Sequence, residues 1–210
     1  MTMSMATLKM TEDLLVAILL GDSTIDRKGG KHELKFYLPP SKQKILKFYI
    51  DKSKLQTLIG IDKISGEDNL FVISNSLVLE RIIRDWSDGK NVVALDPRLL
   101  RNSTYMLWLC LFGNKIDNQV VIHQNTLTLN TKHSLIHFFG KAMRTSFLRL
   151  NSEGNFKVQA LDELLLTSII EHRPSYESLA ILELLTDHAK KSFMQKQEKI
   201  EEEMREHACF

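Results

Sequence analysis

The chain has 210 residues, 43% hydrophobic and 26% charged, with a net charge of only +2. That length allows a sizeable core, in one large unit or two small fused ones. No apolar run reaches the roughly 18 residues of a membrane span, so none is expected. Two cysteines, Cys110 and Cys209, supply neither a disulfide framework nor a zinc cluster.

The opening stretch, MTMSMATLKM, has no arginine and no long apolar run, and reads as neither a secretory signal nor a transit peptide. It leads into a short apolar helix, EDLLVAILLGD (12–22). A basic turn containing two glycines follows, DRKGGK, and then the alternating run HELKFYL, which reads as a strand halted by Pro39 and Pro40. On that strand Lys31, Glu33, Lys35 and Tyr37 share one face, while His32, Leu34, Phe36 and Leu38 share the other, more apolar one. Residues 41–60 read as a helix with Ser41 as N-cap, GEDNLFVISN as a strand, and SLVLERIIRDWSDG as a helix closing at Gly89. VVALDPRLL (92–100) is a bridge.

The pattern then repeats. STYMLWLCLFG (103–113) is a second apolar helix, NKIDNQ a turn and VVIHQNTLTLN a strand. In that strand His123 and Asn125 alternate with Ile122 and Gln124. A helix from Thr131 as N-cap, the strand NFKVQALD and a helix over 163–173 complete the half. Lys157 and Gln159 alternate there with Phe156 and Val158. Helix starts recur about 90 residues apart. The expected fold is α+β: two pseudo-symmetric αββαββα-type repeats forming a saddle-shaped antiparallel sheet covered by helices. The repeats span 11–92 and 93–185, and residues 186–210 form a charged helical tail.

Charge is unevenly spread. Residues 27–63 carry ten Lys/Arg against three acids, 101–150 six against one, and 151–185 two against six. Two basic blocks in a near-neutral chain point to a polyanion. Phe36, Tyr37, Phe48 and Tyr49 are interleaved with lysines, a pattern open to base stacking, although the phenylalanines suit a core better. His133 and His137 have helical i, i+4 spacing but no apparent third metal ligand.

Over roughly residues 11–185 the chain resembles the LAGLIDADG homing endonucleases in their fused two-repeat form. LLVAILLGDSTI resembles the first signature helix, FYLPPSKQKILKFY the strand and helix start after it, and LERIIRDWSDGKNVVALDPRLL the passage into the second repeat. YMLWLCLFGNK resembles the second signature helix, and IHQNTLT the strand and turn that follow. The resemblance implies that the two helices pack together at the molecular centre, with Ala17, Gly21, Trp108 and Gly113 as packing positions. It also implies that each helix delivers one carboxylate to a divalent metal, usually magnesium, that activates water for phosphodiester cleavage. Asp22 matches the first acid. The partner position falls on Phe112, with Leu111 before it; the next acid, Asp117, is too far along the turn.

A signature frame with one acid implies a protein that keeps the fold and has lost cleavage. The expected function is structural RNA binding, as a component of a mitochondrial or other organellar ribosome in the matrix. The alternatives are an intron maturase, or a residual endonuclease or nickase using Asp22. The expected nucleic-acid contacts are Arg27, Lys28, Lys31, Lys35, Lys42, Lys44, Lys115, His123 and Lys157. No cofactor is expected, with magnesium needed only if cleavage remains. The expected partners are ribosomal or intron RNA, with ribosomal proteins meeting the tail. The chain is expected to be a monomer with an internal two-fold.

Overall fold

In a computed structural model of the protein, the described residues are 4–53, 55, 59–63, 69–74, 76–116, 119–124, 126–143, 148–159, 161, 183–185 and 187–208. The first half runs α1 (Met5–Leu20), β1 (Ser23–Lys28), β2 (Lys31–Tyr37), α2 (Pro40–Ser53), β3 (Gly60–Lys63), β4 (Leu70–Ser74) and α3 (Leu77–Trp86). The second runs α4 (Asn102–Phe112), β5 (Asn114–Ile116), β6 (Gln119–Ile122), α5 (Leu129–Met143), β7 (Leu148–Leu150) and β8 (Phe156–Val158), and α6 (Asp187–Ala208) comes last. The first half is the expected αββαββα unit.

Hydrophobic patterning decides which helices lie innermost. Leu14 to Leu20 are all fully buried in α1, and Thr104 to Phe112 are all buried in α4. A helix that is apolar on every side must be enclosed on every side; these two pack on each other, with α3 and β1 also against α1 and α2 also against α4. By contrast, α3 buries only Leu79, Ile82, Ile83 and Trp86, one stripe at helical spacing. Ser76 caps it by accepting a hydrogen bond from Leu79 N–H at 3.3 Å.

Each half builds a four-stranded antiparallel sheet, in the orders β1-β2-β4-β3 and β5-β6-β8-β7. The identical order is the internal two-fold expressed in topology. The covered face of the first sheet carries Ile25, Leu34, Phe36 and Ile73, all buried. That of the second carries Val120, Ile122, Leu148, Phe156 and Val158. Trp108 of α4 packs edge-on to Phe156 with ring centroids 5.4 Å apart. Lys132 of α5 ties this half together by donating to the Gln124 and Gly154 carbonyls, each at 2.7 Å. Burial pushes its ammonium pKa down.

Several boundaries differ from the sequence reading. The basic turn DRKGGK (26–31) is mostly strand, with Asp26–Lys28 ending β1 and Lys31 opening β2, and only Gly29 and Gly30, with φ of 58° and 82°, make the turn. Gly60 does not end a helix but opens β3. Pro40, not Ser41, starts α2, as its fixed φ favours. The cap of α5 is Thr128, whose hydroxyl accepts from Thr131 N–H at 3.2 Å; Thr131 donates to the Val92 carbonyl instead. Trp86 ends α3, and Gly89 (φ 101°) sits in the turn beyond. The helix expected over 163–173 lies outside the described residues, as do Asp117, Asn125 and Cys209. The tail is a helix, and Phe193 on it is 3% exposed within the common core. Among the described residues, no helix is long and apolar enough to cross a membrane.

The two halves are also bound by charge. Near the start of α4, Arg101 donates to Asp13 Oδ1 at 2.8 Å and to Glu12 Oε2 at 3.1 Å. Ser103 and Thr104 donate to Asp13 at 2.7 and 2.6 Å, and Arg81 donates to Glu12 at 2.5 Å. Burial opposes the guanidinium charge of Arg101, but Asp13 and Glu12 outweigh it and raise its pKa. Both carboxylates are buried and fully partnered, as buried charge requires.

Candidate helix-end site and nucleic-acid interface

The ends of α1 and α4 form the candidate site. The last carbonyls of a helix lack partners within it. Those of α1 find theirs in the second half. Leu20 O accepts from Trp108 Nε1 at 2.9 Å and from Gln124 Nε2 at 2.8 Å, and Gly21 O accepts from Gln124 at 2.6 Å. The side-chain Oε1 of Gln124 in turn accepts from the Thr126 and Leu127 N–H groups. Buried Gln124 is thus a structural link between the halves that alternation alone did not single out.

The expected packing positions take clear roles. Ala17 is fully buried within α1. A Cβ on Gly21 would lie 2.5 Å from three ring carbons of Phe112, so glycine is what lets the second helix approach. At Gly113 a Cβ would lie 2.5 Å from Leu109 O and 3.0 Å from Leu184 Cδ1.

Both helices end on these glycines in the same way. Gly21 N–H closes on Ala17 O, and Gly113 N–H on Leu109 O. Counting outward from the two caps, the counterpart of Asp22 is Asn114, not Phe112. Strand alternation agrees. Asp22 continues the open-face series of Thr24 and Asp26, and Asn114 starts that of Ile116. The signature was legible in two frames, with glycine after the acid or before it, and the first half itself, reading Gly21-Asp22, pointed to the second. Phe112 instead fills the space beside Gly21.

The chemistry of this pair follows. Asp22 is an exposed carboxylate. Asn114 is a neutral amide whose Nδ2 donates to Phe112 O at 3.0 Å, leaving one carbonyl oxygen. A hard divalent cation is bound mainly by charged oxygen ligands. One carboxylate and one amide do not fit the two-acid metal site that the resemblance implies. Among the described residues, no group of three His, Cys, Asp or Glu is placed to hold a metal; His133 and His137 are both exposed on α5.

The basic residues divide between the sheets' open faces and their covered sides. Register places Lys28, Lys31 and Lys35 on the open face of the first sheet, with Asp26, Glu33 and Asp62 on the same face. Within the strands three cations meet three anions, Asp22 just before β1 adds a fourth acid to this face, and Lys35 is paired with Asp26 at 2.7 Å. The second sheet is different. A row across it reads Asn114, Val121, Lys157, Arg149. His123 lies exposed beyond β6, and this face carries no acid among the described residues. Arg149, which was not anticipated, stands directly opposite Lys157. Like charges so placed repel, and a polyanion would relieve that.

Four expected contacts lie elsewhere. Arg27 pairs in register with His32 on the covered side, where its charge reaches Glu80. Lys42 is half-buried on α2; burial pushes its ammonium pKa down, and Cys110 and Glu183 offset only part of this. Lys44 is exposed on α2 rather than on a strand. Lys115 falls on the covered side of β5 and donates to Leu185 O at 2.9 Å. Arg27 and Lys115 face the helices because a hairpin residue has even odds of falling on either side of its sheet, and Lys42 and Lys44 belong to a helix.

No protein-family model matches the sequence, and no curated protein does. Among solved structures, the homing endonuclease I-WcaI bound to its DNA recognition sequence matches 88% of this chain and 86% of its own, with a TM-score of 0.53 and 11% identity. I-DmoI in complex with DNA and Mn matches 80% of this chain and 99% of its own, with a TM-score of 0.45 and 14% identity. The chain has the α+β fold of the LAGLIDADG homing endonucleases.

Proposed function

We propose that this protein uses the homing-endonuclease fold to bind RNA structurally, without cleaving nucleic acid, as a component of an organellar ribosome in the mitochondrial matrix. The observation that carries the reading is Asn114. Cleavage by a metal held between two helix ends needs an acid from each, and here one end offers an amide. The packing frame around it is complete, from Gly21 against Phe112 to the Trp108 and Gln124 bonds. A packed frame without its second acid is a scaffold.

The charge pattern supports RNA over a long DNA duplex. Duplex binding strength grows with the number of phosphates neutralised. A saddle gripping a duplex along its length would use both sheets, yet the open face of the first carries no net positive charge among the described residues. RNA offers loops and splayed bases that a one-sided basic surface can hold. The organellar setting follows from the resemblance, since that family is common in mitochondria and chloroplasts.

Incubation of the purified chain with supercoiled DNA and magnesium tests the loss of cleavage. No nicked or linear product is expected, and Asp22→Asn should change nothing. Magnesium-dependent nicking that Asp22→Asn abolishes would establish the nickase instead. In parallel, Arg149→Glu with Lys157→Glu should abolish RNA binding; unchanged binding would refute the assignment of the second sheet.

A further inference from the structure

The open face of the first sheet carries no net positive charge among the described residues, but it is not featureless. Tyr37 stands out from it 57% exposed. In register, Leu70 lies directly opposite Tyr37, and Val72 opposite Lys35 on the same face; both Leu70 and Val72 are half-exposed. These side chains add nothing to the core beneath, where Phe36 and Phe71 stack at 5.6 Å.

The Tyr37 ring is also held in place. Its phenol oxygen accepts from Asn69 Nδ2 at 2.8 Å. Asn69 Oδ1 accepts from Gln43 Nε2 at 2.8 Å, and Gln43 donates to Leu38 O at 2.9 Å. This chain of bonds anchors the tyrosine to α2 and the end of β2 before any ligand arrives. A ring fixed in advance loses little entropy on binding.

A rigid, solvent-facing aromatic with aliphatic neighbours suits one ligand feature, the flat face of an unpaired base. A duplex does not present that feature, because its base faces are covered by stacking. β1 and β5 leave the adjoining ends of the packed helices, so the Arg149–Lys157 face, which carries no acid among the described residues, lies on the neighbouring sheet and can take phosphates farther along the same strand. We infer that Tyr37 is a stacking platform for an unpaired nucleotide, with the second sheet gripping the same strand by charge. The inference rests on the nucleic-acid reading above.

The test is a fluorescence-anisotropy titration of the full chain with labelled single-stranded RNA, single-stranded DNA and the matching duplex. Tyr37→Ala should weaken single-strand binding on the order of tenfold and leave duplex binding unchanged. Tyr37→Phe keeps the ring but loses the Asn69 tether, and should fall between wild type and Tyr37→Ala. The tighter of the two single strands identifies the source of the base. The Arg149→Glu, Lys157→Glu variant should weaken every ligand. If that variant weakens binding and Tyr37→Ala does not, the platform is refuted and the nucleic-acid reading stands. Equal loss on strand and duplex would refute the platform too. A wild-type chain that binds none of the three would overturn both. Thermal melting of each variant guards against misfolding, which an exposed position is not expected to cause.

Discussion

Gly21→Ala should destabilise the protein through a single contact. The backbone of Gly21 is extended, with φ −79° and ψ −169°, so alanine meets no conformational barrier there. The cost is steric: the new Cβ would lie 2.5 Å from Cδ2, Cε2 and Cζ of Phe112. Phe112 is 6% exposed, and its rigid ring cannot swing clear without moving a helix. Overpacking of this kind costs about 2 kcal/mol, or roughly 4–8 °C in melting temperature for a chain of this size. Phe112→Leu removes the colliding ring carbons at its own cavity cost. In that background Gly21→Ala should be nearly neutral, giving a coupling of about 1–2 kcal/mol in a double-mutant cycle. Urea denaturation of the four proteins measures it. Equal costs in both backgrounds would show that the two helix ends do not meet as described.

Other outcomes follow from the same geometry. Arg101→Met takes from buried Asp13 its ion-pair partner, leaving it the Ser103 and Thr104 hydroxyls while Glu12 keeps Arg81, and should cost about 3 kcal/mol in urea denaturation; less than about 1 kcal/mol would mean water already reaches Asp13. Burial opposes ionisation of Glu80, but His32 bonding through Nδ1 and N–H, each at 2.6 Å, and the charge of Arg27 hold its carboxyl below the usual carboxylate range. A depressed folded pKa means stability present above the unfolded value, about 4.3, and lost as pH falls through the folded one. Urea midpoints should therefore fall more steeply in wild type than in Glu80→Gln below that pH, and parallel acid limbs would refute the bonding. Asn114→Asp restores a second acid and should tighten manganese binding about tenfold or more by calorimetry; unchanged affinity would place the counterpart of Asp22 elsewhere.

Long periodic signals were legible in the sequence and short ones were not. LLVAILL and YMLWLCLF announce buried helices because they are apolar on every side, and the alternation in HELKFYL fixes which side of β2 is covered. β3, β5 and β7 have only four, three and three residues, too few for a period of two to show. The second signature could be read in two frames because its glycine is preceded by apolar residues and followed by asparagine. Only the cap bonds, Gly21 to Ala17 and Gly113 to Leu109, choose between them. Arg149 escaped notice because its importance lies in standing opposite Lys157, a pairing set by register between segments. The exposure of Tyr37 was readable from alternation, but its tether through Asn69 and Gln43 depends on how α2 lies against the sheet.

The most direct test of the central claim is to recover the protein from its native source at moderate salt and sequence the nucleic acid that stays bound. Ribosomal RNA in equimolar amount is the expected result. Recovery without RNA, together with magnesium-dependent nicking of DNA, would contradict it and return Asp22 to a catalytic role.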